Sequence, residues 1–123
     1  MTAAALPPNL QGLFAAIDAG DARAFAGFIA ANGRFRFGNA PAVEGRAAIE
    51  QAVAAFFASI RGCRHEVQHC WSDASGEAMH GTVTYARHDG REVSVPFANV
   101  FVRDGELIRD YLIFVDVAPL FAP

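Results

Sequence analysis

The sequence contains no lysine; all ten of its basic residues are arginine. Without a side-chain amine, Schiff-base chemistry is excluded. Positive charge is scarce as well. Thirteen acids outweigh ten bases, the net charge is −3 and the pI is near 5.7. A mildly acidic chain with scattered arginines is a poor match for nucleic acid, and no nucleic-acid partner is expected. Cysteine is limited to Cys63 and Cys70, with no Cys-x-x-Cys. Neither a disulfide framework nor a metal site is expected, and a reducing cytoplasm is the expected compartment. The longest apolar runs, Ala52 to Ala58 and Tyr111 to Val115, fall far below the ~18 residues of a membrane span. Met1 to Pro8 has no basic segment followed by an apolar stretch, so no signal peptide is read there. Repeats, low-complexity tracts and linkers are also missing. What the chain has in quantity is phenylalanine, eleven residues of it.

With 53% hydrophobic and 19% charged residues, the chain is not disordered. Its 123 residues predict one domain, 1–123, that buries roughly two-thirds of its unfolded surface. Leu10, Leu13, Phe14 and Ile17 recur at helical spacing after Pro7, Pro8 and Asn9, and Gly20 ends that helix. Asp21 is a good N-cap for a short second helix carrying Phe25, Phe28 and Ile29, closed by Asn32-Gly33. Arg34 to Phe37 reads as a short strand. A loop with Pro41 leads to a third helix with the stripe Ile49, Val53, Phe56, Phe57 and Ile60, stopped by Gly62.

The second half alternates at strand period. Arg64 to Trp71, Glu77 to Arg87, Arg91 to Arg103 and Glu106 to Val115 form a four-stranded meander, with hairpin signals at Asp89-Gly90 and Asp104-Gly105. The fold class is therefore α+β, with three helices segregated to one face of a mainly antiparallel sheet. Pro96 inside a long strand suggests a bulge there. Val83, Tyr85, Val100, Val102, Tyr111 and Ile113 are expected on the outer face, and a second copy is expected to cover that face as a homodimer.

Two-residue loops at both hairpins would place His80 opposite Asn99 and Asn99 opposite Asp110. Directly paired residues share a face. His80, Asn99 and Asp110 would then form a polar row among Thr82, Phe97, Phe101, Ile108 and Leu112, the pattern of a polar anchor in an apolar pocket. His65 and His69 would share a face of the preceding strand with Val67 and Trp71, about 13 Å apart and too far to chelate. Asp18 ends the first helix, where its charge opposes the helix dipole, a hint that something else uses it.

Three segments carry a family resemblance: LFAAIDAGDARAFAGFIAANGRFRF, VEGRAAIEQAVAAFF and GTVTYARHDGREVSVPFANVFVRDGELIRDY. The chain resembles the SnoaL-like branch of the nuclear transport factor 2-like superfamily along nearly its whole length. That resemblance implies a cone, in which a curved sheet wraps a long helix around an apolar cavity and the outer face dimerises. Relative to ketosteroid isomerases, the Tyr falls on Leu13, the base Asp on Phe37 and a second donor on Asn99. Relative to limonene-epoxide hydrolases, Phe35 and Phe37 replace a Tyr and an Asn, the Arg-Asp pair falls near His80 and Thr82, and Asp110 survives. Relative to scytalone dehydratases, the helix Asp falls on Asp18, the His it orients on His65 and the pocket Asn on Asn99, while Tyr positions fall on Ile17 and near Phe35.

The expected function is that of a cofactor-independent isomerase, dehydratase or cyclase acting on a small hydrophobic hydroxy or carbonyl compound. His65, oriented by Asp18, would move a proton, and Asn99 would hold an oxygen. His80 and Asp110 would add polar contacts or be the acid–base pair themselves. Phe35, Phe37, Phe56, Thr82, Phe97, Phe101 and Leu112, with Phe114, would line the pocket. The rival expectation is a non-catalytic binding or scaffold protein with the same cavity.

Overall fold

The structure, a computed structural model, describes residues 6–123. The first five residues of the stretch read for a leader lie outside the described residues. Helix α1 (Pro8–Asp18) buries Leu10, Leu13, Phe14, Ala16 and Ile17, the stripe expected from its spacing. The Asp21 carboxylate accepts from the Ala24 N–H at 3.0 Å and caps α2 (Ala22–Ala26). The second helix ends earlier than expected. Ile29 and Ala30 are buried in strand β1 (Ile29–Phe37), so Asn32-Gly33 lies within the strand and closes no helix. A two-residue strand β2 (Val43–Glu44) occupies the Pro41 loop, and α3 (Arg46–Ser59) follows, burying Ile49 and Val53.

The meander is β3 (Gly62–Asp73), β4 (Gly76–Ala86), β5 (Glu92–Asp104) and β6 (Leu107–Val115), and a short helix α4 (Ala118–Phe121) ends the chain. The six strands form one sheet in the order β2-β1-β6-β5-β4-β3. Every pairing is antiparallel except β1 with β6, which is parallel. The helices cover the concave side, α1 against β3 and α3 against β1. No helix among the described residues is long and apolar enough to cross a membrane.

Both hairpin registers differ from expectation. At the first, the Arg87 N–H donates to the Arg91 carbonyl at 2.8 Å, and the Gly90 N–H donates to the Arg87 carbonyl at 3.1 Å. The loop is thus the three residues His88, Asp89 and Gly90. Gly90 takes φ +90°, the left-handed position that such a loop needs. This moves the pairing by one residue, so His80 lies opposite Ala98 and Met79 lies opposite Asn99. At the second hairpin, Asp104 pairs with Leu107 across Gly105 and Glu106. An extra residue, Arg109, then enters β6, because Arg103 pairs with Ile108 but Val102 pairs with Asp110. That bulge puts Ile113 opposite Asn99. A one-residue change inverts the face of every side chain beyond it.

β3 has a bulge of the same kind. Val67 pairs with Gly81 and His69 with His80, leaving Gln68 unpaired. Bulges bend strands and increase twist. The backbones approach so closely there that a Cβ on Gly81 would lie 2.0 Å from the Glu66 carbonyl oxygen. No bulge forms at Pro96, which pairs with Thr82 in an unbroken β4–β5 ladder. Hydrogen-bonded pairs alternate along an antiparallel ladder. Counting from the bonded Arg87–Arg91 pair, Thr82–Pro96 is a non-bonded pair, so the proline nitrogen points away from β4. On that side β6 has already ended at Val115, the partner of Phe97.

Candidate functional site

Phe14 and Asp18 are four residues apart on α1 and share a face of that helix. α1 packs on β3, and this face meets the concave side of the strand. The His65 ring lies between Phe14 and Phe97, edge to face with each at centroid distances of 5.1 Å. His65 Nδ1 is 3.9 Å from Asp18 Oδ1; the histidine side chain is 15% exposed and the aspartate 51%. Nδ1 is buried and has no hydrogen-bond partner among the described residues. Cys63 lies two residues before His65 and so projects from the same face of β3. The thiol, imidazole and carboxylate offer atoms within 4.8 Å of one another, close enough to share an ion. Burial, then the nearby Asp18 charge, pushes the Cys63 thiol up to about 11. At neutral pH it is a protonated thiol, whereas a metal takes the thiolate.

Cys63 and His65 open onto a cavity of about 200 Å3. Its walls are aromatic: Phe25 from α2, Phe35 and Phe37 from β1, Phe56 and Phe57 from α3, Tyr85 from β4 and Tyr111 from β6. Most of the ring pairs are edge to face or tilted, as in the Phe37–Phe56 contact at 4.8 Å and the Phe35–Tyr111 contact at 5.3 Å, while Phe25 and Tyr111 stack at 5.6 Å. Each such pair contributes about 0.5–1.5 kcal/mol beyond its buried area. No arginine lines the cavity.

The structure brings only part of the expected set together. Phe35, Phe37, Phe56 and His65 line the cavity, with Asp18 beside His65. Phe97 and Phe101 are buried on the concave face but stand behind the wall, Phe97 against His65 and Phe101 against Tyr111. Asn99 is 2% exposed between Met79 and Ile113, outside the cavity lining, and its side-chain oxygen has no partner among the described residues. The row of His80, Asn99 and Asp110 does not form. His80 and Thr82 alternate with the buried Met79, Gly81 and Val83 and face outward. Asp110, Leu112 and Phe114 alternate outward with the inward Tyr111 and Ile113. Asp110 pairs with Arg109 at 3.3 Å, and Phe114 is exposed. His69 and Trp71 are turned outward by the Gln68 bulge, so His69 does not share the face of His65.

The same inversions bring in residues that sequence reasoning placed outside. Val83, Tyr85, Tyr111 and Ile113 face inward, and the last three line the cavity or stand at its wall with Cys63. The i, i+2 spacing of Cys63 and His65 was the signal that could have found the thiol. The tyrosines had none, because their side depends on the loop length and the Arg109 bulge. Burial raises the pKa of both tyrosines, Tyr111 more than Tyr85, with smaller contributions from Cys63 at Tyr85 and from Tyr85 and Cys63 at Tyr111. Both phenols are therefore neutral donors near pH 7.

A curved sheet folded over helices, enclosing an aromatic cavity with a few polar groups on one wall, defines a cone of the nuclear transport factor 2-like, ketosteroid isomerase-like type. Residues 10–111 match the SnoaL-like domain, and the chain belongs to that family. Solved structures share the fold at low identity. One is a hypothetical protein with a ketosteroid isomerase-like fold from Catenulispora acidiphila DSM 44928, solved in complex with trimethylamine. It is 17% identical, covers 89% of this chain and 86% of its own, and has a TM-score of 0.81. A protein named as a SnoaL-like polyketide cyclase from Jannaschia sp. CCS1 is 16% identical over 95% and 94% of the two chains, with a TM-score of 0.76. An epoxide hydrolase of the limonene-epoxide hydrolase-like type from M. tuberculosis is 12% identical over 92% and 84%, with a TM-score of 0.77. No curated protein matches the sequence.

Proposed function

We propose that the cavity binds a small hydrophobic hydroxy or carbonyl compound and that His65, with Asp18, moves a proton on it. The reaction class is isomerisation, dehydration or ring closure without a cofactor. The observation that carries this reading is the buried His65 Nδ1, unpartnered among the described residues, 3.9 Å from a carboxylate and on a ring that lines an aromatic cavity. A histidine in that setting accepts a proton at one nitrogen while a carboxylate steadies the charge at the other. The 3.9 Å gap is longer than a hydrogen bond, and catalytic contacts of this kind close when substrate is bound.

Proton transfer at carbon can be read without knowing the natural substrate. One- and two-ring hydroxy ketones are incubated with the protein in D2O, and deuterium next to the carbonyl is followed by NMR. Incorporation above the buffer rate is expected for compounds that bind. It should fall about 100-fold or more in His65→Gln, with binding retained, and less in Asp18→Asn. Binding without incorporation by any compound would leave the second reading, a non-catalytic binding module, which the half-exposed Asp18 favours.

The reading includes a cytoplasmic homodimer formed through the outer face of the sheet. Val100, Leu112 and the exposed Phe114 give that face apolar surface. Light scattering tests it directly: twice the chain mass of 13.1 kDa is expected, and a monomer at micromolar concentration would refute it.

A further inference from the structure

We infer that Asp18, Cys63 and His65 form a binding site for a zinc-like divalent cation at the edge of the cavity. The site goes beyond the proposed function, which uses no ion.

The first observation is the donor set. A carboxylate, a thiol and an imidazole offer atoms within 4.8 Å of one another, and no other three such side chains among the described residues come this close. Bonds to a four-coordinate zinc ion are about 2.0–2.3 Å long, which sets neighbouring ligand atoms roughly 3.5 Å apart. His65 Nδ1 and Asp18 Oδ1 stand at 3.9 Å. That is too long for a hydrogen bond and close to the separation of two ligands on one ion. Asp18 is half exposed, so its carboxylate has room to turn the remaining distance.

The second observation is the unmet nitrogen. His65 Nδ1 is buried and has no partner among the described residues. Phe14 and Phe97 hold the ring edge to face, which aims that nitrogen before any ion arrives. Cys63 projects from the same face of β3 two residues earlier. Two ligands therefore sit on one strand and the third on the helix packed against it. Ligands on strands and helices are held more precisely than ligands on loops.

The third observation is access. A second opening, of about 70 Å3, is lined by Asp18, Gly20, Arg61, Gly62 and Cys63. Ile17, Phe57 and Cys63 line both this opening and the aromatic cavity. An ion reaches the group from solvent past the half-exposed Asp18.

The mixture of sulfur, nitrogen and oxygen selects zinc and its neighbours, whereas magnesium and calcium take oxygen ligands. Three protein ligands leave a fourth position for water or a cavity ligand. Binding replaces the S–H bond of Cys63 with a sulfur–metal bond and releases the proton to solvent, since a coordinating thiol is deprotonated outright. The ion also takes His65 Nδ1 and the Asp18 carboxylate. Ion binding and the proposed proton transfer thus use one pair of side chains and exclude each other.

Cobalt is the probe, because a thiolate on cobalt gives a charge-transfer band in the near ultraviolet and a four-coordinate cobalt ion absorbs strongly in the visible. The metal-free protein is titrated with cobalt chloride under nitrogen, with no cavity ligand present. Both bands should appear and saturate at equimolar ion. Zinc chloride should displace the cobalt, and an excess of magnesium or calcium should not. Cys63→Ser should remove the near-ultraviolet band. Asp18→Asn and His65→Gln should each weaken cobalt binding by at least about 10-fold. Cys70→Ser and His69→Gln should change neither band nor affinity. Zinc should raise the thermal unfolding midpoint of the unaltered protein and not that of Cys63→Ser. The midpoint of Cys63→Ser without metal shows whether that variant folds, and Asp18→Asn, at an exposed carboxylate, reads the affinity independently. Absence of the near-ultraviolet band in the unaltered protein, its survival in Cys63→Ser, or an affinity unmoved by Asp18→Asn would each overturn the inference. Cobalt binding without deuterium exchange would count against the proton-transfer reading alone, and exchange without the cobalt bands against this one alone.

Discussion

Tyr111 is buried at the aromatic wall of the cavity, and the contacts that hold it are made by its ring. The ring packs against Phe25 at 5.6 Å, Phe35 at 5.3 Å and Phe101 at 4.5 Å. Tyr111→Phe keeps those ring contacts and should therefore change the folding free energy by less than about 1 kcal/mol, read as the urea midpoint at pH 7. The same variant should alter the alkaline limb of a stability profile. The folded pKa values of Cys63, Tyr85 and Tyr111 all lie above their ordinary values of 9.0 and 10.0. Above about pH 9 the unfolded chain loses these protons first and the native state keeps them, so stability falls as pH rises. The Cys63 part of that loss is complete once pH passes its folded value of about 11, and the tyrosine parts continue beyond. Tyr111→Phe should flatten the decline, and an identical decline in the variant would contradict the burial of that phenol.

At the scale of elements, the fold was readable and the site only partly so, for a physical reason. Helix stripes such as Ile49 and Val53, the Asp21 cap and the meander's alternation depend on local spacing, which the sequence displays. His65, Phe35, Phe37 and Phe56 met at the cavity, with Asp18 beside His65, because each is placed by its own helix or strand. His80, Asp110, Thr82 and Leu112 depended on register across three strands. Register accumulated a three-residue loop at His88 to Gly90 and bulges at Gln68 and Arg109, none of which has a strong sequence signature. Pro96 misled for the opposite reason, since the end of β6 already left its missing N–H without a required partner. The close approach of β3 and β4 beside the Gln68 bulge also requires a residue without a side chain at Gly81. Gly81→Ala should destabilise the protein by about 2 kcal/mol or more, because the Glu66 carbonyl is backbone and cannot rotate away. A denaturation midpoint unchanged from that of the parent would show that the two strands can separate there at no cost.

For the whole molecule, the sheet divides the chemistry into two compartments. The concave side holds the thiol, imidazole and phenols in a lining of phenylalanine. The convex side displays the aromatic group formed by His69, Trp71 and His80. Trp71 lies 4.1 Å from the His69 ring centroid and stacks on His80 at 5.7 Å, and it is 54% exposed. It is also the only tryptophan in the chain. Intrinsic fluorescence excited at the red edge, where tyrosine is silent, therefore observes the convex side alone. Saturating the cavity with a ligand should leave the emission maximum in place, whereas dilution that dissociates the proposed homodimer should shift it. The Gln68 bulge that turned Trp71 outward has thus given the protein a built-in optical reporter of its convex face that is blind to occupancy of the cavity.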